Sequence, residues 1–449
     1  MISDGLQTAL NEIRETLVQD NALYQEQIPL VNHYTSSQVY GQSLLALPSD
    51  MRNKFIQSLV NRIAYTKFVM DYFENPLQEL AGDDLPLGAI GQEVYVNPAK
   101  GRVYDINDFA GLLAKYESDV KVEYSEINFD VQYPVTIIRK ELEKAFTTWG
   151  DFESFLMGIS TSLYNAAYID DYKYTKKLIS NAYRTNNVQM GTFSFSNPAA
   201  PTADELKAFT KKLRELFLNF KSPSTSYNAW AKVGGYGHAI VSWSKPEDIV
   251  LVISNKLASE LDVEVLASAF NMDKADLMGR VFYVDNFNIY DDDGTQQYDG
   301  SNIYALIADK RWFKIRQKDL YMDEFYNANN RSWQQYLNVI KSYNYSLFAN
   351  AYMLVAAIPT VNITSASFAE TTPTVEEAKK ITLHLNTVPF NATQTVTFTS
   401  GTQAKATVEK VDDRTVEVTG VADGTSVITA TAGGQSIATV TVTVTDPAE

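Results

Sequence analysis

The feature that most constrains the fold is a long apolar-periodic stretch from Trp149 to Tyr183, which no proline interrupts. Gly150-Asp151 and Glu153 place acidic groups where the start of a helix favours negative charge. Apolar side chains then recur at three- and four-residue spacing, namely Phe152, Phe155, Leu156, Ile159, Leu163, Ala166, Ala167, Leu178, Ile179 and Ala182. The spacing predicts one helix roughly 50 Å long at about 1.5 Å per residue. Such a helix needs a packing partner along its length, as in the core of any large α+β protein.

Two runs of sequence resemble one protein family. The run AFTTWGDFESFLMGISTSLYNAAYIDDYKY resembles the spine-helix region of major capsid proteins from small tailed phages of the phi-twenty-nine type. The run ELDVEVLASAFNMDKADLMG, from Glu260 to Gly279, resembles the same family and follows in the same order. The resemblance extends over residues 50–357 and implies the tailed-phage capsid fold, known as the Johnson fold.

Composition narrows the function classes. The chain has 449 residues and no cysteine, which excludes disulfides, cysteine-bound metals and thiol nucleophiles. Its net charge of −16 is the wrong sign for wrapping nucleic acid tightly, and it suits a shell that must not adhere to DNA. Many other proteins are equally acidic, so the charge alone does not decide. We expect no signal peptide, because the N-terminus carries acids and lacks an apolar segment, and no membrane span.

The N-terminal region is predicted to be an arm. Residues 1–50 begin with an amphipathic helix (Leu6, Leu10, Ile13, Leu17) and then lose any sustained period. We interpret the remainder as extended and lying on a neighbouring subunit, although a tail folded on its own domain is nearly as consistent. A helix from Met51 to Phe73 follows, and Asn75-Pro76 ends it.

Residues Leu77 to Ile138 are predicted to form a projecting hairpin. Val120 and Val122 alternate with polar residues. After a shift in register, the apolar–polar alternation continues from Ile127 to Ile137. A two-stranded arm is unstable alone in water, so it must rest on something, most simply an adjacent copy. The family resemblance places the extended E-loop here.

An α/β lobe is predicted next. The helix Ala203–Phe220, with Thr202 or Asp204 as its cap, precedes strands at Asp248–Ser254, Arg280–Asp285 and Ile303–Ala308. The resemblance implies that this lobe is the axial A-domain. Aromatic residues are dense from Lys310 to Ala357, which we read as long strands returning to the spine helix.

Composition changes at Ile358-Pro359, after which threonine and valine dominate. Six short strands separated by turns are predicted, at Lys380–Leu385, Gln394–Thr399, Ala406–Val411, Thr415–Val418, Ser426–Thr431 and Ala438–Thr445. Regular strand–turn spacing indicates a β-sandwich. The run VEVTGVADGTSVITATAGGQSIATVTVTV resembles the bacterial immunoglobulin-like group two (BIG) module.

No catalytic or metal site is predicted. His33, His238 and His384 fall in three different regions, whereas a triad or zinc site needs convergence. The adjacent acids Asp83-Asp84, Asp170-Asp171 and Asp412-Asp413 lack the separation of hydrolytic pairs, and we expect Asp170-Asp171 on a solvated face or beside a basic neighbour. Residues 291–294 (DDDG) read as a loop tip rather than a calcium loop, and 234–237 (GGYG) as a flexible loop rather than a phosphate loop.

Basic residues cluster modestly at Lys173–Lys177, Lys207–Lys212 and Lys310–Arg316, interleaved with acids or apolar residues. Ion pairs between subunits explain these clusters better than nucleic-acid contact.

The sequence therefore predicts an α+β major capsid protein that self-assembles into hexamers and pentamers, with no catalytic, cofactor or metal site. The predicted parts are an N-terminal arm (1–50), a P-domain (51–76, 139–200 and 310–357) with spine helix 149–183, an E-loop (77–138), an A-domain (201–309) and a BIG domain (359–449).

The resemblance further implies a scaffolding protein, a portal and a head fibre as partners, and duplex DNA enclosed without specific binding. It also implies a place in the virion after synthesis in the bacterial cytoplasm. The alternative is a BIG-domain surface-binding or adhesion protein of a phage tail or cell surface. A hydrolase is a third class, for which no candidate carboxylate stands out.

Overall fold

The computed structural model describes residues 2, 4–65, 73–84, 86, 91–103, 114–198, 200–233, 239–261, 280–291 and 293–446. Most of the run Glu260–Gly279, all of 234–237, His238 and the end of the helix expected to reach Phe73 lie outside these residues. The chain divides into two units. The first comprises Met1–Gly91, Ser125–Tyr174 and Ile315–Tyr343, and the second Gln92–Tyr124, Thr175–Lys314 and Asn344–Glu449.

Nine α-helices occur in the described residues. They are α1 (Asp4–Asp20), α2 (Leu23–Gln27), α3 (Ser37–Ala46), α4 (Ser49–Tyr65), α5 (Arg139–Ala145), α6 (Trp149–Arg184), α7 (Ala203–Phe220), α8 (Trp230–Val233) and α9 (Asn255–Glu260). The predicted long helix is confirmed as α6, and α7 begins and ends where it was predicted.

The N-terminal region is helical rather than extended. One core unites α1, α3, α4, α5 and the start of α6, with buried side chains that include Leu6, Leu10, Ile13, Leu17, Tyr24, Tyr40, Leu44, Phe55, Phe146 and Phe152. The Tyr24 hydroxyl donates to the Met51 carbonyl (2.8 Å), and the Trp149 indole donates to the Thr35 carbonyl (2.7 Å). The expectation of an extended arm is therefore wrong, and the alternative, a tail folded on its own domain, is observed.

Gly41 explains how α3 approaches this core so closely. A Cβ atom at Gly41 would lie 2.5 Å from Cγ of Phe146, well inside contact distance. Phe146 in turn stacks on Phe152, with ring centroids 4.4 Å apart. The glycine thus lets α3 pack directly on the residues that lead into α6.

The described strands number twenty. They are β1 (Gly91–Val96), β2 (Val120–Ser125), β3 (Phe129–Ile138), β4 (Gln189–Thr192), β5 (Ile249–Ser254), β6 (Val281–Val284), β7 (Ile289–Tyr290), β8 (Gln296–Tyr298), β9 (Ile303–Asp309), β10 (Phe313–Asn327), β11 (Ser332–Tyr345), β12 (Ala351–Val355), β13 (Ser365–Phe368), β14 (Thr374–Glu376), β15 (Lys380–Val388), β16 (Val396–Ser400), β17 (Ala406–Lys410), β18 (Thr415–Gly420), β19 (Gly424–Ala432) and β20 (Gln435–Thr445).

The alternating run before α5 forms part of a sheet rather than a hairpin arm. Strand β3 pairs antiparallel with β11, from Phe129 opposite Lys341 to Ile138 opposite Ser332, and β11 lies between β10 and β3. Pro134 is tolerated because β3 is an edge strand. The predicted two-stranded arm is thus wrong for 129–138. Among the described strands, β2 pairs instead with β1 in a separate two-stranded sheet.

The α/β lobe is built on a five-stranded sheet with the order β4-β12-β9-β5-β6. Strand β9 is buried throughout, as is β5 except at its last residue, which matches their continuous apolar sequences. Helix α7 packs against this sheet through Phe209, Leu213, Leu216 and Phe217. Thr202 and Glu205 form a capping box at its start, which confirms the predicted cap.

Strands β13 to β20 form what we call the C-terminal β module. It contains two four-stranded sheets, β13-β15-β18-β17 and β14-β20-β19-β16. Both sheets contribute to one core, which includes Leu383, Leu385, Val396, Val416, Val418, Ile428, Val440, Val442 and Val444. All six predicted strands are present, whereas β13 and β14 were not predicted because they are too short to show alternation.

Candidate functional site: a buried acid cluster and an apolar ribbon

The histidines do not converge in the described residues. His33 lies 3.6 Å from Asp4, both largely exposed, in the first unit. His384 lies 2.8 Å from Glu370 in the second unit, and His238 is outside the described residues. Within the described part of the chain, no group of three or more His, Cys, Asp or Glu side chains is arranged to hold a metal ion.

Asp171 on α6 is buried, so the solvated face is wrong at this position, whereas the alternative, a basic neighbour, is observed in Lys341. Its carboxylate accepts hydrogen bonds from the side chains of Asn75 (2.7 Å), Lys341 (2.7 Å) and Tyr343 (2.6 Å). Neighbouring Asp170 accepts from the Tyr133 hydroxyl at 2.8 Å. Buried carboxylates need such donors, because an unpaired charge in this environment is costly.

Aromatic rings enclose this acid cluster. The ring of Tyr343 lies 5.4 Å from that of Phe129 and 5.5 Å from that of Tyr174. Burial raises the pKa of the Tyr343 phenol, and the Asp171 charge adds to the shift. The phenol therefore stays protonated and donates to Asp171, so the cluster fastens β11 and the segment at Asn75 to α6 within the first unit.

The 291–294 loop and the basic clusters make local contacts. Residues 291–294 join β7 to β8 as the predicted loop tip, with the Gly294 amide donating to the Asp291 carbonyl, while Asp292 is outside the described residues. The basic clusters have carboxylate partners in their own chain, namely Lys173–Asp170, Lys176–Asp285, Lys207–Asp204, Lys212–Glu215, Arg311–Asp309 and Lys314–Glu93. Ion pairs between subunits are therefore not needed to explain them.

Strands β1 and β2 form a two-stranded sheet, which we call the ribbon. Its outer face carries five apolar side chains with exposed fractions of 37–66%, namely Val94, Val96, Val120, Val122 and Tyr124. Its inner face carries the half-buried residues Glu93, Tyr95, Lys121 and Glu123. The ribbon therefore presents its apolar side to solvent, the reverse of what a sheet in a single subunit requires.

Polar contacts hold the inner face of the ribbon to the rest of the second unit. Glu93 pairs with Lys314 at 2.9 Å, and Glu123 accepts from the Leu347 amide at 3.0 Å. The Tyr95 hydroxyl donates to the Val241 carbonyl, and its ring lies 5.7 Å from that of Phe348. The ribbon thus rests on its own chain through the polar face, whereas the sequence pattern predicted that it would rest most simply on an adjacent copy.

Burial raises the pKa of Glu123 to about 7, and the nearby Glu93 carboxylate adds to the shift. Lys314 and the Leu347 amide oppose it. Two carboxylates and two lysines, Lys121 of the ribbon itself and Lys314, therefore lie at the inner face of the ribbon.

Sequence reasoning identified Val120 and Val122 but missed β1. The available signal was the alternation in GQEVYV, where Val94 and Val96 flank Tyr95, but it is only six residues long. The donors around Asp171 were also missed, because they come from segments distant in sequence.

No helix among the described residues is both long and apolar enough to cross a membrane.

Comparison with known proteins identifies relatives. Residues 10–355 match the family described as Phi29-like phage major capsid protein. The major capsid protein of Bacillus phage PZA is 31% identical over 315 residues, which is 69% of this chain and 65% of that protein. The chain thus spans just under two thirds of its length. The major capsid protein of Bacillus phage B103 is 29% identical over 373 residues, covering 82% of this chain and 77% of that one.

Among solved structures, the capsid of Staphylococcus phage Andhra contains a similar chain. The TM-score is 0.52 at 15% identity, over 65% of this chain and 87% of that one. This similarity supports a phage capsid fold. Given the family match across most of the sequence and the identity to the PZA protein, the chain belongs to the Phi29-like phage major capsid protein family.

Proposed function

We propose that this protein assembles with copies of itself into hexamers and pentamers, and that these build the icosahedral shell enclosing the phage's duplex DNA. The observation that carries the proposal is the outer face of the ribbon. Five apolar side chains share a surface that the described residues of the same chain leave exposed. A second copy of the chain would remove that surface from water, at about 25 cal/mol per Å² of apolar area buried.

The same proposal assigns the parts of the fold. The ribbon lies in the E-loop (77–138), α6 is the spine helix of a P-domain (51–76, 139–200 and 310–357), and the five-stranded lobe belongs to an A-domain (201–309). This is the Johnson arrangement. The C-terminal β module, within 359–449, is assigned as a BIG-type immunoglobulin-like domain, supported by its two four-stranded sheets around one core.

Partners follow from the same assignment. A scaffolding protein, a portal and a head fibre would act with the shell, and synthesis would take place in the bacterial cytoplasm. The net charge of −16 supports enclosure of DNA without specific binding.

The test is assembly of a charge-bearing ribbon. In the Val94→Glu/Val122→Glu variant, two carboxylates would be forced into the buried contact, at a cost that abolishes assembly. Electron microscopy and analytical ultracentrifugation of the full chain, alone and co-expressed with neighbouring gene products, should show capsomers or shells for the wild type and none for this variant.

Thr407→Glu, at an exposed site on β17, adds the same kind of charge elsewhere and should still assemble. A wild-type chain that stays monomeric under every assembly condition would contradict the proposal.

A further inference from the structure

The end of α6 and the C-terminal β module meet at a joint of buried asparagines, both within the second unit. Asn391 lies in the loop after β15 and is 7% exposed, and Asn186 lies just past α6 and is 5% exposed. The Asn391 side-chain nitrogen donates to the Thr185 carbonyl and to Oδ1 of Asn187. Asn186 donates back to the Asn391 carbonyl at 2.8 Å. These reciprocal hydrogen bonds connect the loop after β15 to the residues that directly follow α6.

Asn186 occupies a position where glycine is the usual residue. Its φ of 54° is in the left-handed region. The amide of Asn187 donates to the Ala182 carbonyl, and that of Asn186 to the Tyr183 carbonyl, both at 2.9 Å. This is the hydrogen-bond pattern of a Schellman cap, in which glycine avoids the strain of positive φ. Glycine would therefore suit the helix end at least as well, but it would make neither side-chain contact of the joint.

Lys232 on α8 brings a third element to the same point. Its ammonium donates to Oδ1 of Asn186 and to the Val188 carbonyl, both at 2.8 Å. Burial lowers the pKa of Lys232 to about 8. The lysine holds the Asn186 side chain in the orientation that directs its nitrogen toward Asn391.

The connection between lobe and module is itself secured. The Tyr183 hydroxyl donates to the Ala357 carbonyl at 2.7 Å. The Val361 amide donates to the Thr393 hydroxyl at 2.8 Å, and that hydroxyl donates to the Pro359 carbonyl at 2.8 Å. Residues 357–361 are thus bonded at both ends and do not form a free tether.

We propose that Asn186, Asn391 and Lys232 form a latch that fixes the orientation of the C-terminal β module relative to α6. The module is then held in one orientation relative to the rest of the second unit and does not sample many directions as a tethered domain would. The latch is a property of the single subunit and stands whether or not the chain builds a shell.

The absence of native cysteine allows a direct test by spin labelling. Labels at Lys211→Cys on α7 and Thr407→Cys on β17, both exposed sites, report the distance between lobe and module in the full chain. Pulsed electron resonance on unassembled subunits should give one narrow distance distribution. Asn186→Gly, which keeps the helix cap, and Asn391→Ala should each at least double its width.

Asn362→Ala serves as the control, because Asn362 is exposed in the same connection and lies outside the latch. It should leave the distribution narrow. The proposal is overturned if the wild-type distribution is already broad, or if Asn186→Gly and Asn391→Ala both remain as narrow as the control. Because Asn186→Gly preserves α6, a change in width cannot be ascribed to loss of the helix.

Discussion

The C-terminal β module and the ribbon are both built from alternating strands, yet they turn opposite faces to solvent. In the module, Val416 and Val418 point into a core shared by two sheets and are fully buried. In the ribbon, Val94 and Val122 point outward while Glu93 and Glu123 face the rest of the second unit. Alternation thus determines which residues share a face, but the surrounding chain determines which face meets water.

The two arrangements have different energetic consequences. The module buries its core side chains between its own two sheets, so its core needs no other molecule. The ribbon makes its intrachain contacts through its polar face and leaves an apolar surface that the described residues of the chain do not cover. Under the proposed assembly, the ribbon is therefore the part of the second unit that another copy would stabilise, and the module is not.

The largest expected effect is a buried charge in the module. Val418→Asp places a carboxylate in a fully buried site without a donor, and should destabilise the module by about 4 kcal/mol or more. Thermal unfolding of the full chain should show early loss of the module. Thr407→Asp, at an exposed site on the same sheet, should unfold like the wild type. Equal melting temperatures for the two variants would show that the module does not depend on its buried apolar core.

Removing the charge of Lys314, which pairs with Glu93 on the inner face of the ribbon, should have the next largest effect. Lys314 is 13% exposed, and Lys314→Met leaves the carboxylates of Glu93 and Glu123 without it, at a cost of about 3 kcal/mol. Hydrogen exchange of residues 91–96 should accelerate markedly.

The matched control is Lys54→Met, since Lys54 forms an exposed pair with Asp20 at 2.7 Å worth under about 1 kcal/mol. If the two substitutions changed local exchange equally, the inner-face contacts would not be what holds the ribbon.

The stability contributed by the inner face of the ribbon should depend on pH through Glu123. A folded-state pKa of about 7 for Glu123, above the unfolded value of 4.5, means that the folded state binds the proton more tightly. Stability from this site is therefore fully present below about pH 4.5 and is lost as pH rises through 7. Glu123→Gln should flatten this part of the melting-temperature profile between pH 5 and 8, and parallel wild-type and variant profiles would count against the assignment.

Much of the fold could be predicted because the signals were local. Helix α7 shows its own start in Thr202 and Glu205, and α6 shows an uninterrupted apolar period. The module strands alternate between turns that contain Gly or Asp. Each signal lies within a few residues of the element it predicts.

The errors arose where a distant partner decides the outcome. Tyr24 and Tyr40 are buried by tertiary contacts that follow no single helical period, so the N-terminal region appeared irregular. Strand β3 showed its alternation but not its partner β11, which lies far along the chain. For Asp171 the sequence left both a solvated face and a basic neighbour open, because its donors, including Lys341, are equally remote in sequence.

The smallest expected effect is on the isolated subunit when the ribbon's outer face is changed. Val122 is already 37% exposed, so Val122→Asp should alter the free energy of unfolding of the unassembled subunit by no more than about 0.5 kcal/mol. Chemical denaturation of subunits measures this. A large loss of stability would show that Val122 is part of an intrachain core, contrary to the comparison.

Hydroxyl-radical footprinting of Tyr124 tests directly whether another copy covers the outer face of the ribbon. The Tyr124 side chain lies on that face and is 66% exposed. The labelling rate is compared between unassembled subunits and assembled shells. If another copy covers the outer face, Tyr124 should react several-fold more slowly in shells than in subunits. Equal reactivity in the two states would contradict the account, because the apolar face would then remain in water after assembly.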